Sequence, residues 1–379
     1  MKVLVDRAMP KALDVFASLG TVIVKDGRDI TSDDLIDIDA LFIRSVTKVD
    51  DNLLKKANKL KFVGTATAGC DHVDVDLLNK KGIFFTNAPG SNKESVGDYI
   101  LSVLLTLAQK YNLTLKGMSL GIVGCGHTGQ QVLNKAKALG MHLVLRDPPL
   151  FDRGLKEYGA SLDEILACDF VTLHVPLNKE DPYKTFHLID EKALLKMHKN
   201  AFLINASRGP VVDNKALFKK MQESDNTLRV WLDVYEGEPE IDVKELLPYL
   251  EGCTAHIAGY SYESKRRASF MLKKSFESMM GLFSKEIFTP DRSEILAIEL
   301  ADDIVLDQNL ISRLVFSIYD VNYDSYLFKN TFTGKKSFDG MRKNYRERHE
   351  LSYVQLKGNG ASKNKEVLLG LGFSISDNI

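Results

Sequence analysis

The sequence predicts an α/β protein with two doubly wound parallel-sheet domains and a smaller α+β domain at the C-terminal end. Short apolar runs alternate with helical patterns through the first three quarters of the chain, as in parallel strands joined by crossover helices. A glycine-rich turn stands between an apolar run and a helical pattern near residue 124. From about residue 287 the pattern becomes mixed. The length of 379 residues allows about two or three domains.

Apolar runs bounded by Gly, Asp or Asn define the predicted strands. In the first domain they cover residues 3–5, 22–25, 41–44, 61–64 and 83–86, with helices near 11–19 and 51–57. A helical pattern over 93–111 leads into a second domain with strands at 119–123, 142–145, 170–175, 201–205, 229–234 and 253–257. A helix near 263–283 then returns the chain to the first domain. The predicted domains are 1–92 with 258–286, 93–257, and 287–379.

The composition excludes several classes of protein. The formal net charge is −1 and no long basic block is present, which argues against a nucleic-acid partner. No apolar run approaches the ~20 residues of a membrane-spanning helix, and the first residues have a strand pattern rather than that of a signal peptide. The four cysteines are scattered without C-x-x-C spacing, as in reduced proteins. We therefore expect a cytoplasmic protein that does not bind membranes.

The middle of the chain carries the pattern of a dinucleotide-binding turn. Gly124, Gly126 and Gly129 form G-x-G-x-x-G, which lets the backbone approach a pyrophosphate at a helix N-terminus. Asp147 lies 18 residues past Gly129, close to the ~20 expected for an acid that binds the adenosine ribose hydroxyls. The spacing predicts NAD as the cofactor, although Arg146 could accommodate the 2′-phosphate of NADP.

Three later segments place polar residues at the C-terminal ends of predicted strands. His256 is the candidate base, because the pKa of an imidazole lies near neutrality. Glu238 could pair with this histidine and fix its tautomer, and Arg208 could hold a carboxylate by two parallel hydrogen bonds. These three residues suit the oxidation of a 2-hydroxy acid, in which a base takes the hydroxyl proton as hydride leaves the carbon.

The motifs N-A-S-R-G at 205–209, D-V-Y-E-G-E-P at 233–239 and H-I-A-G at 256–259 resemble those of the D-isomer-specific 2-hydroxyacid dehydrogenase family. The resemblance implies a flavodoxin-like substrate domain and a Rossmann NAD domain. It also implies that Arg208 binds and polarises the substrate, that Glu238 supports His256, and that His256 donates and accepts the proton. The implied cofactor-binding residues are Gly124, Gly126, His127, Thr128, Gly129, Asp147, Val175, Ala206, Ser207, Arg208, Asp233 and Gly259.

Further motifs resemble one branch of that family, whose members act on a phosphorylated hydroxy acid and dimerise through a C-terminal domain. They include I-R-S-V-T-K-V at 43–49, F-V-G-T-A-T-A-G at 62–69 and R-K-N-Y at 342–345. The resemblance implies that Ser45, Thr67 and Tyr260 bind the substrate. Arg44 is either a solvated charge or a further substrate-binding residue that faces a phosphate beside Ser45. Two departures are Ala255, where the family usually has proline, and Val175, where it has a polar residue near the cofactor. The resemblance implies a homodimer.

Several alternatives remain open. His127 in the glycine turn and His174 at a strand end are alternative bases. Residues 70–74, C-D-H-V-D, favour a helix-capping loop over a metal site, so no metal is expected. Another D-2-hydroxy acid such as 3-phosphoglycerate would need the same chemistry, and the fold also serves NAD(H)-sensing corepressors. The basic run at 342–348 is either a charged helix face or a segment that reaches a phosphate across a dimer.

Overall fold

The computed structural model describes residues 1–282, 285–288 and 296–376 of the chain. The chain forms two compact units, one of residues 1–92 with 260–292 and the other of residues 93–259 with 293–379. Within the described residues, no helix combines the length and the apolar character needed to cross a lipid bilayer.

The first unit is built on a five-stranded parallel sheet. Its strands are β1 (Lys2–Asp6), β2 (Thr21–Lys25), β3 (Ala40–Ile43), β4 (Phe62–Thr65) and β5 (Phe84–Asn87), and its first helices are α1 (Ala12–Phe16), α2 (Asp51–Leu54) and α3 (Val75–Lys80). The strand order β2-β1-β3-β4-β5 is the flavodoxin-like order. The ring of Phe42 lies 4.4 Å from that of Phe16 and 5.3 Å from that of Phe62, between centroids, in the core of the unit.

The second unit begins with the long helix α4 (Lys93–Tyr111) and contains a six-stranded parallel sheet. The strands are β6 (Ser119–Val123), β7 (His142–Arg146), β8 (Phe170–Leu173), β9 (Phe202–Asn205), β10 (Arg229–Leu232) and β11 (Gly252–Cys253). The helices that connect them are α5 (His127–Ala138), α6 (Pro148–Asp152), α7 (Leu162–Leu166), α8 (Glu191–Lys196) and α9 (Asn214–Met221). The sheet order is β11-β10-β9-β8-β6-β7, so the order reverses at β6. Ligands of such sheets bind beyond the carboxyl ends of the strands at this reversal, where the glycine turn lies.

Helix α10 (Tyr262–Met279) belongs to the first unit. A side chain at Gly64 of β4 would come within 3.2 Å of a Leu272 methyl carbon, so glycine lets α10 approach the sheet. The rest of the second unit contains a parallel sheet in the order β12 (Ala297–Glu299), β13 (Gln355–Lys357), β14 (Ser374–Ile375), with helices α11 (Gln308–Ile318), α12 (Val321–Thr331), α13 (Lys335–Lys343), α14 (Asn359–Lys363) and α15 (Lys365–Leu371). Short 3₁₀ helices span Ala17–Leu19, Ser32–Leu35, Lys156–Tyr158, Gly209–Val211, Leu247–Tyr249 and Leu351–Tyr353.

The predicted fold class of parallel-sheet α/β domains followed by a C-terminal region with helices and strands is confirmed, and α4 spans the predicted 93–111. Several elements differ in extent. The helix predicted at 51–57 ends at Leu54, and the strands predicted at 170–175 and 229–234 end at Leu173 and Leu232. The strand predicted at 253–257 ends at Cys253: Thr254 N–H still donates to the Leu232 carbonyl of β10, but the Ile257 and Ala258 N–H groups donate to a buried carboxylate. The helix predicted at 263–283 ends at Met279, and residue 283 lies outside the described residues. All pairs in the C-terminal sheet are parallel.

Candidate active site

The glycine turn joins β6 to α5, and the local structure requires or permits glycine for a different reason at each of its three positions. Gly124 has φ +87°, and a side chain there would come within 2.6 Å of the His174 carbonyl oxygen. At Gly129 a Cβ would lie 2.0 Å from the Gly124 carbonyl oxygen. At Gly126, which begins α5 without a side-chain cap, a Cβ would meet no atom of the described residues within 4 Å. The turn therefore leaves open space at the N-terminus of a 12-residue helix, and this arrangement fits a pyrophosphate.

Asp147 follows β7 and lies beside this turn. Its Oδ2 accepts a hydrogen bond of 2.8 Å from the Cys125 backbone N–H, and its Oδ1 accepts one of 3.1 Å from Leu150 N–H. The neighbouring Arg146 donates through Nη1 to the Ala160 carbonyl at 2.9 Å. The carboxylate thus joins the glycine turn to the start of α6. Its role toward a ribose stays a prediction, supported by its place next to the turn.

His256 and Glu238 form a hydrogen-bonded pair in the loops after β11 and β10. The distance from His256 Nδ1 to Glu238 Oε2 is 2.6 Å, and Glu238 Oε1 accepts from Tyr235 N–H at 2.8 Å. Burial opposes ionisation of Glu238, but His256, the Tyr235 N–H and the charge of Arg342 outweigh it and hold the pKa of this carboxyl below its usual value. A carboxylate at Nδ1 favours the tautomer with its proton there, so that Nε2 can accept a proton.

The backbone around His256 is held by a second acidic residue, Asp233. His256 has φ +55°, in the left-handed region, and its N–H donates to the Asp233 carbonyl at 2.8 Å. The Asp233 carboxylate accepts from Thr254 Oγ1 at 2.6 Å, Ile257 N–H at 2.7 Å and Ala258 N–H at 2.9 Å. Burial raises the pKa of Asp233, and these bonds offset part of that effect. Asp233 therefore orients the His256 loop. Gly259 is the next residue after the segment that Asp233 binds.

Arg208 follows β9, which lies next to β10 in the sheet. The buried Asn205 shapes its loop: the Asn205 side chain accepts from Ser207 N–H at 3.1 Å and Ser207 Oγ at 2.8 Å, and donates to the Arg208 carbonyl at 3.0 Å. A Cβ at Gly209 would lie 1.9 Å from the Tyr235 carbonyl carbon, so the Arg208 loop packs directly on the loop that carries Glu238. Strands β9, β10 and β11 thus place Arg208, Glu238 and His256 at one end of one sheet.

Val175, Ala206, His127 and Thr128 surround the same end of the second unit. A side chain at Gly124 would come within 2.8 Å of Val175 Cγ1, so this residue borders the glycine turn. Ala206 is half-buried between Asn205 and Ser207, and His127 is exposed in the first turn of α5, followed by Thr128. None of these positions shows a contact that tests its predicted role toward a cofactor.

His174, the alternative base, lies in a different environment. Burial lowers its pKa from the usual 6.5 to about 3. Its Nε2 pairs with Thr172 Oγ1 at 3.0 Å, and its Nδ1 has no hydrogen-bond partner among the described residues. A histidine that is this weak a base at neutral pH is a poor acceptor for a substrate proton. The geometry therefore favours His256.

The predicted substrate-binding residues lie in the first unit. Arg44 follows β3, and its guanidinium carbon lies 5.2 Å from the centre of the Tyr260 ring. Thr67 follows β4, and its hydroxyl bonds to Thr65 Oγ1 at 2.8 Å and to the Gly69 carbonyl at 2.6 Å. Ser45 is half-buried next to Arg44. The structure brings Arg44 and Tyr260 together, and it places Thr67 in a separate hydrogen-bonded loop.

Two polar residues of this unit carry no predicted role although they lie near predicted ones. His72 Nε2 lies 2.9 Å from Thr65 Oγ1, which supports the Thr67 loop. The Lys265 ammonium lies 5.3 Å from the centre of the Tyr260 ring. Lys265 lies in the first turn of α10, far from Arg44 in sequence, so no local motif reveals it. Charge near Tyr260 is therefore greater than the motifs indicate.

One group among the described residues has the spacing of a metal site: His187, Asp213 and Glu236. His187 Nε2 lies 2.7 Å from Glu236 Oε1, and its Nδ1 lies 3.5 Å from Asp213 Oδ2. Both ring nitrogens of His187 thus face carboxylates. The two acids also accept from backbone N–H groups at the start of α9.

Comparisons with known proteins agree with this geometry. The family model for the NAD binding domain of D-isomer specific 2-hydroxyacid dehydrogenases matches residues 105–258, and a domain of unknown function, DUF3410, matches 291–372. The erythronate-4-phosphate dehydrogenase of Tolumonas auensis is 42% identical over 382 residues, 100% of both chains. That of Aeromonas salmonicida is 43% identical over 99% of both chains. An NAD⁺-bound 3-phosphoglycerate dehydrogenase of Entamoeba histolytica, 23% identical, shares the fold with a TM-score of 0.63, over 76% of this chain and 99% of its own.

The parallel sheets, the glycine turn and the NAD-binding family model define an NAD-dependent 2-hydroxyacid dehydrogenase. The chain belongs to the D-isomer-specific 2-hydroxyacid dehydrogenase family and, within it, to the erythronate-4-phosphate dehydrogenases. The prediction of NAD as the cofactor is confirmed. The roles assigned to the site residues from the motifs remain predictions, and the structure gives the positions of these residues.

Substitution of Gly126 by alanine should weaken NADH binding without affecting the fold. The added methyl group has room in the free protein, yet it occupies the space at the N-terminus of α5. We expect the Kd of NADH, measured by fluorescence titration, to rise at least about tenfold, or about 1.4 kcal/mol. Gly340→Ala is the matched control, since its Cβ also meets no described atom within 4 Å. Equal affinities of both variants and the wild type would show that the space is not used.

His174→Gln should reduce the sensitivity of the protein to acid. Below pH 6.5 the unfolded state binds a proton at His174, whereas the folded state does so only near pH 3, so stability falls as the pH falls. From pH 6.5 to about pH 5, the wild type should lose about 2 kcal/mol more unfolding free energy than the variant. Urea unfolding followed by fluorescence of Trp231, the single tryptophan, measures this difference. Parallel pH profiles would contradict the low pKa.

Proposed function

We propose that the chain oxidises 4-phospho-D-erythronate with NAD to 3-hydroxy-2-oxo-4-phosphooxybutanoate, a reaction of pyridoxine biosynthesis. The full-length relatives of this name support the substrate. The Glu238–His256 pair, with 2.6 Å between carboxylate and imidazole, is the observation that carries the chemistry. The pair supports catalysis over a role limited to sensing NAD(H).

The residues of the second unit supply the reaction's proton acceptor and carboxylate clamp. Bound NAD supplies the hydride acceptor. His256 Nε2 takes the proton from the hydroxyl group of C2 as hydride leaves that carbon, and the charged imidazolium that forms is stabilised by Glu238. Arg208 holds the substrate carboxylate by two N–H donors, which fixes the reacting carbon. In the reverse direction, His256 returns the proton to the carbonyl oxygen.

The residues of the first unit give the proposed specificity for a phosphate. Arg44 carries a permanent positive charge, and Ser45 and Thr67 offer hydroxyl groups at strand ends. The ring of Tyr260 has cations near it from both Arg44 and Lys265, at 5.2 and 5.3 Å. This concentration of positive charge supports an anionic group of the substrate in addition to the carboxylate that Arg208 would bind.

The decisive experiment compares substrates and a variant of the base. NADH formation, followed by absorbance, should be faster with 4-phosphoerythronate than with 3-phosphoglycerate or unphosphorylated erythronate. His256→Asn should reduce the rate by about 10²- to 10⁴-fold, the range for loss of a general base, while asparagine tolerates the left-handed backbone. His142→Asn, on an exposed strand position, is the matched control.

Each other result has a clear meaning. Turnover only with 3-phosphoglycerate would keep the family and exclude the proposed substrate. A fully active His256→Asn variant would remove the assigned base. NADH binding without turnover of any of these acids would favour the NAD(H)-sensing alternative.

We further propose that the chain is a cytoplasmic homodimer assembled through its C-terminal residues. Helix α12 supports this proposal, because Tyr323, Tyr326 and Leu327 are 52%, 66% and 37% exposed, an apolar surface suited to a second copy. Sedimentation equilibrium should give a dimer for the wild type. Tyr326→Glu should shift it toward monomer by placing a charge in the interface, and Tyr249→Glu, exposed elsewhere in the unit, should not. A monomeric wild type would exclude the dimer.

A further inference from the structure

The two residues after His256 are held by buried groups of opposite charge. Ile257 and Ala258 are each 2% exposed, and their N–H groups donate to the Asp233 carboxylate, as described above. Their carbonyl oxygens accept from Nη1 of Arg348, at 3.4 and 3.3 Å. All four backbone polar groups that follow the candidate base are therefore bonded to one acid and one guanidinium.

Arg348 is fixed in its own position by further contacts. It is 2% exposed, and its Nη2 donates to the Ser95 carbonyl of α4 at 2.6 Å. Its guanidinium carbon lies 3.6 Å from the centre of the Tyr319 ring, a close stacking distance. Tyr319 is in turn held, since its carbonyl accepts from Ser102 Oγ at 3.1 Å. The planar guanidinium stacks on a ring and donates to three carbonyls. Lysine cannot reproduce these contacts, because its ammonium group is a compact charge on a flexible chain.

The backbone that Arg348 holds needs this restraint. The left-handed φ of His256 is an unfavourable conformation for a residue other than glycine, and it persists only where neighbouring contacts fix it. Without the guanidinium, the carbonyls of Ile257 and Ala258 would be buried without their charged donor. The segment would then relax toward other conformations and carry the imidazole away from the geometry set by Glu238.

We propose that Arg348 is a positioning residue for the reaction: it locks the Ile257–Ala258 backbone and so fixes the His256 imidazole for proton transfer. The C-terminal residues of the chain thereby support catalysis within the same chain. The inference rests on the proposed role of His256 as the base, and it extends that role to a residue that touches neither substrate nor cofactor.

The test replaces Arg348 by lysine, which keeps the charge and removes the planar donor set. The single-turnover rate of NADH formation should fall by about 10- to 100-fold, the effect of a small misplacement of a catalytic group, while the Kd of NADH stays near the wild-type value. Leu314→Ala is the control: this buried side chain of α11 lies in the same C-terminal region and makes none of these hydrogen bonds. It should lower the thermal midpoint and leave the rate unchanged.

A double-mutant cycle separates positioning from a general loss of stability. Glu238→Gln alone should lower the single-turnover rate, because it removes the carboxylate that orients the imidazole. In that background Arg348→Lys should have a much smaller further effect, since both residues restrain one ring and their losses do not add. A purely structural role would lower the rate by the same factor in both backgrounds, and that result would overturn the proposal.

The remaining outcomes are also informative. A wild-type rate in Arg348→Lys, or an equal loss of rate in Leu314→Ala, would overturn the proposal. Should Arg348→Lys give no folded protein by Trp231 fluorescence, Arg348→Gln, whose amide can still donate to one carbonyl, takes its place in the same cycle. The assay uses whichever 2-hydroxy acid the wild type oxidises, so a different substrate would count against the proposed function alone.

Discussion

The buried carboxylate of Asp233 is the group on which the candidate active site depends. It accepts three hydrogen bonds from the segment that contains His256, and the Asp233 carbonyl accepts a fourth. Thr254 N–H still donates to the Leu232 carbonyl of β10, and beyond it the Asp233 carboxylate accepts from the Ile257 and Ala258 N–H groups, so the chain leaves the sheet. His256, which the sequence pattern predicts within a strand, therefore lies in a loop, where its side chain bonds to Glu238. A carboxylate with 1% exposure is tolerable there because three hydrogen bonds compensate for its burial.

The donors that reach Asp233 form a chain with one direction. Trp231 Nε1 can only donate, and it does so to Tyr99 Oη at 2.8 Å. Tyr99 Oη lies 2.6 Å from Thr254 Oγ1, which itself donates to the Asp233 carboxylate. The tyrosine hydroxyl must therefore donate to the threonine, and each bond polarises the next toward the acid. Helix α4, which carries Tyr99, is in this way tied to the same carboxylate as the candidate base.

Local patterns in the sequence reveal the parts of the site that are built locally. The glycine turn, its strand and its helix follow from spacing within about 30 residues of chain, and they form where the pattern predicts. The parallel strands likewise follow from their apolar runs. The strand predicted beyond Cys253 is wrong because its competitor is the side chain of Asp233, and no periodicity encodes a competition of that kind.

Contacts between distant residues were not predictable for a related reason. Arg348 meets Ala258 and Ser95 across 90 and 253 positions of sequence, and its neighbourhood reads as an ordinary run of charges. The environment of His174 is similar in this respect, because its low pKa results from burial by the assembled sheet rather than from adjacent residues. Asn205 is an intermediate example, since an asparagine at a strand end indicates a side-chain-stabilised turn but not what the turn presents.

The position of Arg348 also bears on how such a chain can change over time. The NAD-binding family model ends at residue 258, and a separate family model matches residues 291–372, the segment that contains Arg348. An added segment that only enlarged the surface could be shortened or lost with little effect. This one inserts a guanidinium against the backbone beside the candidate base, so its loss would strip donors from buried carbonyls at that point. We therefore expect changes in this segment and changes in the His256 loop to be coupled.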